Sequence, residues 1–365
     1  MTRIRIAVVL GTRPEAIKLA PVIRGLGQSR ELEPFVVSTG QHREMLRQAL
    51  DAFALKPDVD LDVMAEDQGL SPLAASVLNG LDVVWRRTNP AVVVVQGDTT
   101  STFVGALSAY YAGIPVAHVE AGLRTGDLRA PFPEEAHRRM ADAIAEWCFA
   151  PTEESRRNLL REGIDDRRIH VTGNTGIDAL CWMKNDLQRQ PADDDPDGEM
   201  VLVTAHRRES FGRALRRICD AIEGIAARRP SASVLFPVHL NPQVRGVVHE
   251  RLATVPNVQL TEPLAYRPFV SALLRASLVI TDSGGVQEEA VALGRPVIVV
   301  RDVTDRPEGV HAGAADLAGT DTAAIVDAAL KRLDAPADGR PSGAYGDGRA
   351  AERIVTILAD SLRAR

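Results

Sequence analysis

Apolar residues in this chain fall in short, nearly continuous runs, separated by longer stretches where they recur every three or four positions. The runs at 4–10, 34–39, 91–96, 115–119 and 147–150 are rich in Val, Ile and Ala. An unbroken apolar run predicts a strand covered on both faces, whereas a half-exposed strand alternates. Helical spacing fills the intervals at 15–29, 42–54, 71–89, 99–112 and 134–145. Alternation of this kind predicts a parallel sheet with crossover helices. A further strand is expected at 168–172, and a second series follows at 200–204, 233–237, 258–260, 278–281 and 296–300. The expected fold class is therefore α/β, with two Rossmann-like domains facing across a cleft. The first domain is expected over 1–172 and the second over 173–352, with a terminal helix at 353–365 packing back on the first. The acidic, Pro-containing run at 191–198 reads as an exposed loop inside the second domain.

Composition narrows the picture. A chain of 365 residues is long for one core and fits two domains. Its 43 Lys and Arg against 49 Asp and Glu leave a net charge of −6, which argues against a nucleic-acid surface while allowing local basic pockets. No apolar stretch is long enough to cross a membrane, and the first apolar run, at 6–10, is too short for the core of a signal peptide flanked by a cleavage site, so neither is expected. Cys148, Cys181 and Cys219 are odd in number and widely spaced, as expected of reduced thiols in the cytoplasm.

Candidate chemistry sits where predicted strands end. After the strand at 278–281 comes Asp282-Ser283-Gly284-Gly285-Val286-Gln287-Glu288-Glu289, which opens a helix. Two glycines at such a turn let backbone amides approach an anion, and the helix N-terminus favours negative charge. The acidic pair one turn later suits sugar hydroxyls, so the segment points to a nucleotide sugar. Gly11-Thr12-Arg13-Pro14-Glu15-Ala16-Ile17-Lys18 follows the first strand without the glycine spacing of a dinucleotide or P-loop site. Arg13 and Lys18 are placed to meet a phosphate, unless they belong to a solvated turn. Asp98, Glu120 and Glu134 each lie at a strand end or a helix start. Singly, Asp98 reads equally as a helix cap, Glu120 as the partner of Arg124 or Arg138, and Glu134 as a first-turn acid. Together they form a set able to move protons. From the second series come His206, Arg207 and Arg208 after one strand and His239 after the next; no metal site is called on them. Arg306 can close over a phosphate or pair with Asp305 or Glu308, and Phe269 can wall a base or pack in the core.

Ten segments in this order, GTRPEAIK, QHREML, QGDTTS, HVEAGLRTGD, PEEAHR, TGNTGID, HRRESFG, PVHLNP, TDSGGVQEE and RDVTDRP, resemble the non-hydrolysing UDP-N-acetylglucosamine 2-epimerases. The resemblance implies a glycosyltransferase-B-type fold, a cytoplasmic homodimer and interconversion of UDP-GlcNAc with UDP-ManNAc for cell-surface polysaccharide synthesis. It places catalytic groups on Asp98, Glu120, Glu134 and His206. Substrate-binding positions fall on Arg13, Lys18, Phe269, Ser283, Gly284, Gly285, Glu289 and Arg306, and a base-binding position on Leu264. Activation by substrate, common in the family, would use Gln41, Arg207 and His239. Glu44 and Asp67 depart from the pattern of regulated members, and an acid beside a diphosphate is repulsive.

The C2 hydrogen of an N-acetylhexosamine has no adjacent carbonyl. Removing it calls either for transient oxidation at C3, which needs a nicotinamide, or for elimination of the C1 leaving group. The expected route is elimination of UDP to a 2-acetamidoglucal and re-addition, with no cofactor and no metal. A glycosyltransferase of the same fold, a hydrolysing epimerase and a silent nucleotide-sugar sensor are the competing readings.

Overall fold

Every long apolar run becomes a strand, and the reason lies in where its side chains go. The computed structural model of the chain describes residues 3–40, 43–64, 68–189, 198–207, 211–304, 306–335 and 341–364. The acidic run at 191–197 lies outside the described residues. The chain divides into two units, Met1–Ala179 with Gly346–Arg365, and Leu180–Tyr345.

The first unit holds strands β1 (Ile4–Leu10), β2 (Leu32–Ser38), β3 (Val59–Asp60), β4 (Val92–Gln96), β5 (Val116–Val119), β6 (Trp147–Ala150) and β7 (Ile169–Val171). Helices α1 (Arg13–Gln28), α2 (Arg43–Ala52), α3 (Leu70–Thr88), α4 (Thr100–Tyr111), α5 (Glu134–Ile144) and α6 (Glu153–Arg161) follow or separate them, and α7 (Thr175–Gln188) begins in this unit and continues into the second. All the pairings are parallel, in the order β3-β2-β1-β4-β5-β6-β7. Alternate residues serve opposite cores: Ile6, Val8, Leu10, Val92 and Val94 join one apolar cluster, and Ala7, Val9, Val93 and Val95 the other. A strand with a core on each side has no polar position to spare, hence the unbroken runs.

The second unit repeats the plan with β8 (Met200–Thr204), β9 (Ser233–Pro237), β10 (Val258–Thr261), β11 (Leu278–Thr281), β12 (Val297–Val299) and β13 (Ala315–Leu317). Their order is β10-β9-β8-β11-β12-β13, again parallel throughout. Its helices are α8 (Arg213–Arg228), α9 (Pro242–Leu252), α10 (Tyr266–Arg275), α11 (Gly284–Ala292), α12 (Pro307–His311) and α13 (Thr322–Asp334).

Helix α14 (Ala350–Arg363) belongs to the first unit. Ile354 and Leu358 are fully buried in the cluster that also holds Leu19, Ile23 and Leu26 of α1. Full burial of each such side chain contributes about 1.5–3 kcal/mol. The helix starts on Asp178, whose carboxylate accepts the amides of Ala350 at 3.1 Å and Ala351 at 2.8 Å. Burial, the dominant influence, lifts the Asp178 pKa to about 6 against the lowering effect of those amides. No helix among the described residues is long and apolar enough to cross a membrane.

In each sheet the chain reverses its direction of strand addition once, between β1 and β4 and between β8 and β11. The loops leaving those strands diverge, so a crevice opens at their carboxyl ends.

Candidate active site

In the first unit the two loops at the switch point are bound to each other by a buried carboxylate. A Cβ added to Gly11 would lie 2.2 Å from Ser101 Oγ and 2.3 Å from Thr39 Oγ1, so no side chain fits there. Glu15, one turn into α1, folds back on this loop and is buried. Its Oε2 accepts the amides of Gly11 at 2.8 Å and Thr12 at 2.6 Å. Its Oε1 accepts the Thr99 hydroxyl at 2.5 Å and lies 2.8 Å from that of Thr102. Glu15 thus satisfies amides that a helix start leaves unpaired, and ties the β1 exit to the β4 exit. Nothing local in the sequence marks this role, because Thr99 and Thr102 lie 84 and 87 positions away.

Glu120 leaves β5 with a φ of 68°, in the left-handed region. A non-glycine residue held there costs on the order of 1–3 kcal/mol and is found preferentially at functional sites. Its carboxylate, nearly fully buried, takes the Lys18 ammonium on one oxygen and the Gln96 side-chain amide on the other. Arg124 and Arg138, its expected structural partners, are engaged elsewhere. Arg124 pairs with Asp142 at 2.7 Å and Glu162 at 2.6 Å, and Arg138 with Asp98. The helix cap expected of Asp98 is supplied by Thr99, whose hydroxyl accepts the Thr102 amide at 3.2 Å. That leaves the Asp98 carboxylate available at the carboxyl end of β4, set by Arg138. Glu134 opens α5, and one of its carboxylate oxygens is buried with no hydrogen-bond partner among the described residues. Arg13, half-buried, is the first residue of α1.

In the second unit Asp282, fully buried at the end of β11, plays the part that Glu15 plays in the first. Its Oδ2 accepts the amides of His206 and Arg207, each at 2.9 Å, which fixes the β8 exit to the β11 exit. The imidazole of His206 stacks on that of His239 with centroids 5.5 Å apart. Burial lowers the His206 pKa, with His239 and Arg207 acting in the same direction and Asp282 against them. The side chain is still 40% exposed, so solvent relieves part of that effect.

Ser283 stands at the N-cap position of α11, and the Arg306 guanidinium lies against Gly284. A Cβ there would lie 3.4 Å from Arg306 Cζ. Arg306 is buried and pairs with Glu288, while Asp305 lies outside the described residues. Within the acidic pair, Glu289 instead accepts the Tyr266 hydroxyl at 3.0 Å. Phe269 packs in α10 and is buried, and Leu264 is half-buried in the loop before it.

The family model described as UDP-N-acetylglucosamine 2-epimerase matches residues 24–359. The chain belongs to the UDP-N-acetylglucosamine 2-epimerase family. It is 47% identical to UDP-N-acetylglucosamine 2-epimerase from Escherichia coli strain K12, over 97% of this chain and 98% of that one. The Bacillus subtilis enzyme of the same name is 46% identical over 98% of this chain and 96% of its own length. Among solved structures, UDP-GlcNAc 2-epimerase from Neisseria meningitidis, bound to UDP-GlcNAc, superposes with a TM-score of 0.93 at 41% identity. That match covers 98% of this chain and 100% of the other. The fold is accordingly the glycosyltransferase-B type that these epimerases share.

Of the residues that substrate activation would use in this epimerase family, Arg207 is half-buried beside Asp282 and His239 is exposed. Gln41 lies outside the described residues, as do Asp67, Arg208 and the side chain of Glu44.

Proposed function

We propose that the protein interconverts UDP-GlcNAc and UDP-ManNAc without hydrolysing either. One observation carries the reading. In a chain of this family, Asp98, Glu120 and Glu134 sit at strand exits and a helix start of one unit, with Glu120 strained, buried and paired to Lys18. A base removes the C2 hydrogen while the C1–oxygen bond breaks and UDP departs, leaving a 2-acetamidoglucal. Proton return to the opposite face of C2 and re-addition of UDP at C1 complete the exchange. Opposite-face transfer needs more than one acid/base group. Asp98 and Glu120 act near C2 and Glu134 assists, its unpartnered oxygen supporting such a role. Arg13, Arg306 and the amides following Ser283 stabilise the diphosphate charge as it develops, and Lys18 holds Glu120 beside it. His206 donates to the diphosphate. Glu289 contacts the ribose, and Phe269 and Leu264 border the base.

The route needs no nicotinamide, in keeping with a first strand-to-helix turn that lacks the dinucleotide glycine spacing. We further propose a cytoplasmic homodimer whose product feeds cell-surface polysaccharide synthesis. A proton NMR time course with UDP-GlcNAc tests the reading. UDP-ManNAc accumulating to a stable ratio without free UDP supports it. Stoichiometric free ManNAc and UDP would mean a hydrolysing enzyme. UDP released solely when an acceptor sugar is added would mean a transferase.

A further inference from the structure

His118 lies on β5, two residues before Glu120, and is fully buried. Its Nδ1 is 2.6 Å from Asp142 Oδ1, and its Nε2 is 2.7 Å from the Gly97 carbonyl oxygen. A carbonyl can only accept, so Nε2 carries a proton. Asp142, buried on α5, also accepts from Arg124 at 2.7 Å and from the Gly122 amide at 3.2 Å through Oδ2. Burial opposes its ionisation, but the charges of His118 and Arg124 and their hydrogen bonds hold its pKa below the usual value. Facing an ionised carboxylate, Nδ1 must donate as well, and the imidazole is doubly protonated.

Neighbouring charges complete the cluster. Arg124 and Arg139 both pair with Glu162, at 2.6 Å and 3.0 Å, while Cys148 and Arg168 contact the Asp142 carbonyl at 3.7 Å and 3.1 Å. Burial alone would lower the His118 pKa. The charge and hydrogen bond of Asp142 outweigh it and raise the value above 6.5.

Gly97 immediately precedes Asp98 and needs its φ of 78°, a conformation open to glycine. Its amide donates to Val119 at 3.1 Å, and the Asp98 carbonyl accepts from His137 Nδ1 at 3.2 Å. An imidazole therefore holds the carbonyl on each side of the Asp98 α-carbon. We infer that His118, kept as an imidazolium by Asp142, is a positioning residue that fixes the Gly97 carbonyl and so aims the Asp98 carboxylate during epimerisation. The inference rests on the reading of Asp98 as an acid/base group. A neutral imidazole would either set a bare Nδ1 against the Asp142 oxygen or give up the Gly97 bond, and the turn would loosen.

The first test does not depend on what Asp98 does. With nitrogen-15 in the histidine rings, the protein at about pH 8, above the ordinary histidine range, keeps one imidazole protonated on both nitrogens. That signal is absent from His118→Gln and from Asp142→Asn. Finding every imidazole neutral in the wild type, or the signal persisting in Asp142→Asn, overturns the inference.

The second test reads turnover. His118→Phe leaves Gly97 without a donor and lowers kcat by about 10- to 100-fold with KM within about 3-fold. His118→Gln, which keeps a donor where Nε2 was, recovers most of the loss. A folded His118→Phe variant turning over at the wild-type rate overturns the inference, as does a His118→Gln variant no better than Phe. If Asp98→Asn remains active while the imidazolium is present, the role of Asp98 fails and the protonated clamp stands.

Discussion

Replacing Glu15 by alanine removes the carboxylate that binds the β1 and β4 exits, and its cost can be worked out group by group. The amides of Gly11 and Thr12 lose their acceptor in a buried place. Each unpaired buried donor costs about 1–3 kcal/mol, so the pair costs about 2–6 kcal/mol. The loop cannot shift to find other acceptors, because Gly11 is already wedged against Ser101 and Thr39. The Thr102 hydroxyl adds little, since it can turn to the Gln96 carbonyl 2.6 Å away. Against a total stability of about 5–15 kcal/mol, such a loss lowers the melting temperature of this unit on the order of 10 °C. Glu15→Gln is the control. Its amide oxygen can take both backbone amides, and its nitrogen can donate to the two hydroxyls, so the loss is about 1–2 kcal/mol. Scanning calorimetry and denaturant titration of both variants give the comparison. Equal stability of Glu15→Ala and Glu15→Gln would refute the reasoning, since the orphaned amides would then have found other partners.

Asp98→Asn is expected to lower kcat by about 100-fold, the scale of a positioned acid/base group, with UDP affinity little changed. Steady-state kinetics with calorimetric UDP binding checks this, and normal turnover would remove Asp98 from the chemistry. Tyr345→Phe deletes a buried hydroxyl that donates to the Arg306 carbonyl at 3.0 Å and accepts the Gly309 amide at 2.9 Å. A loss of about 1–3 kcal/mol in stability follows, together with weaker UDP binding as Arg306 loosens. Unchanged UDP affinity would show that Arg306 needs no brace. Asp178, with its pKa raised from 3.8 to about 6, binds a proton more readily folded than unfolded. Its contribution is therefore most favourable at low pH and is lost as pH rises through about 6. Melting temperatures of Asp178→Asn relative to wild type should rise between about pH 4 and pH 7 and level off above; a flat difference across that range would contradict the shift.

Strands buried on both faces were legible in the sequence, because two cores demand apolar residues at every position. Ile4–Leu10, Trp147–Ala150, Met200–Thr204 and Leu278–Thr281 were each readable to within a residue, and so was Ser233–Pro237, where Val234 and Phe236 are buried and Ser233 is exposed. The edge strands Val59–Asp60 and Ala315–Leu317 were not, since two or three residues carry no period and the pairing depends on a distant neighbour. Helix α6 also went unread, its run of Arg and Glu burying little beyond Ser155 and Leu159.

Among the site residues, those at strand ends were found by position. What each one touches was not, because contact is set by topology. Lys18 and Glu120 are 102 positions apart, and the nearer arginines had looked the better partners. Asp282, 76 positions from the His206 amide it accepts, read as part of an anion loop and proves to be a brace for the opposite loop. Glu15 and His118 stood inside quoted motifs, yet nothing local marks a carboxylate that caps two loops or a histidine held between a carboxylate and a carbonyl.

The central claim is that the C2 proton leaves the sugar and returns from solvent through these carboxylates. Incubating the protein with UDP-GlcNAc in deuterium oxide and following C2 by proton NMR tests it most directly. The account predicts UDP-ManNAc carrying deuterium at C2, formed without any added cofactor. An epimer that keeps its original hydrogen at C2 would contradict proton exchange and with it the elimination mechanism.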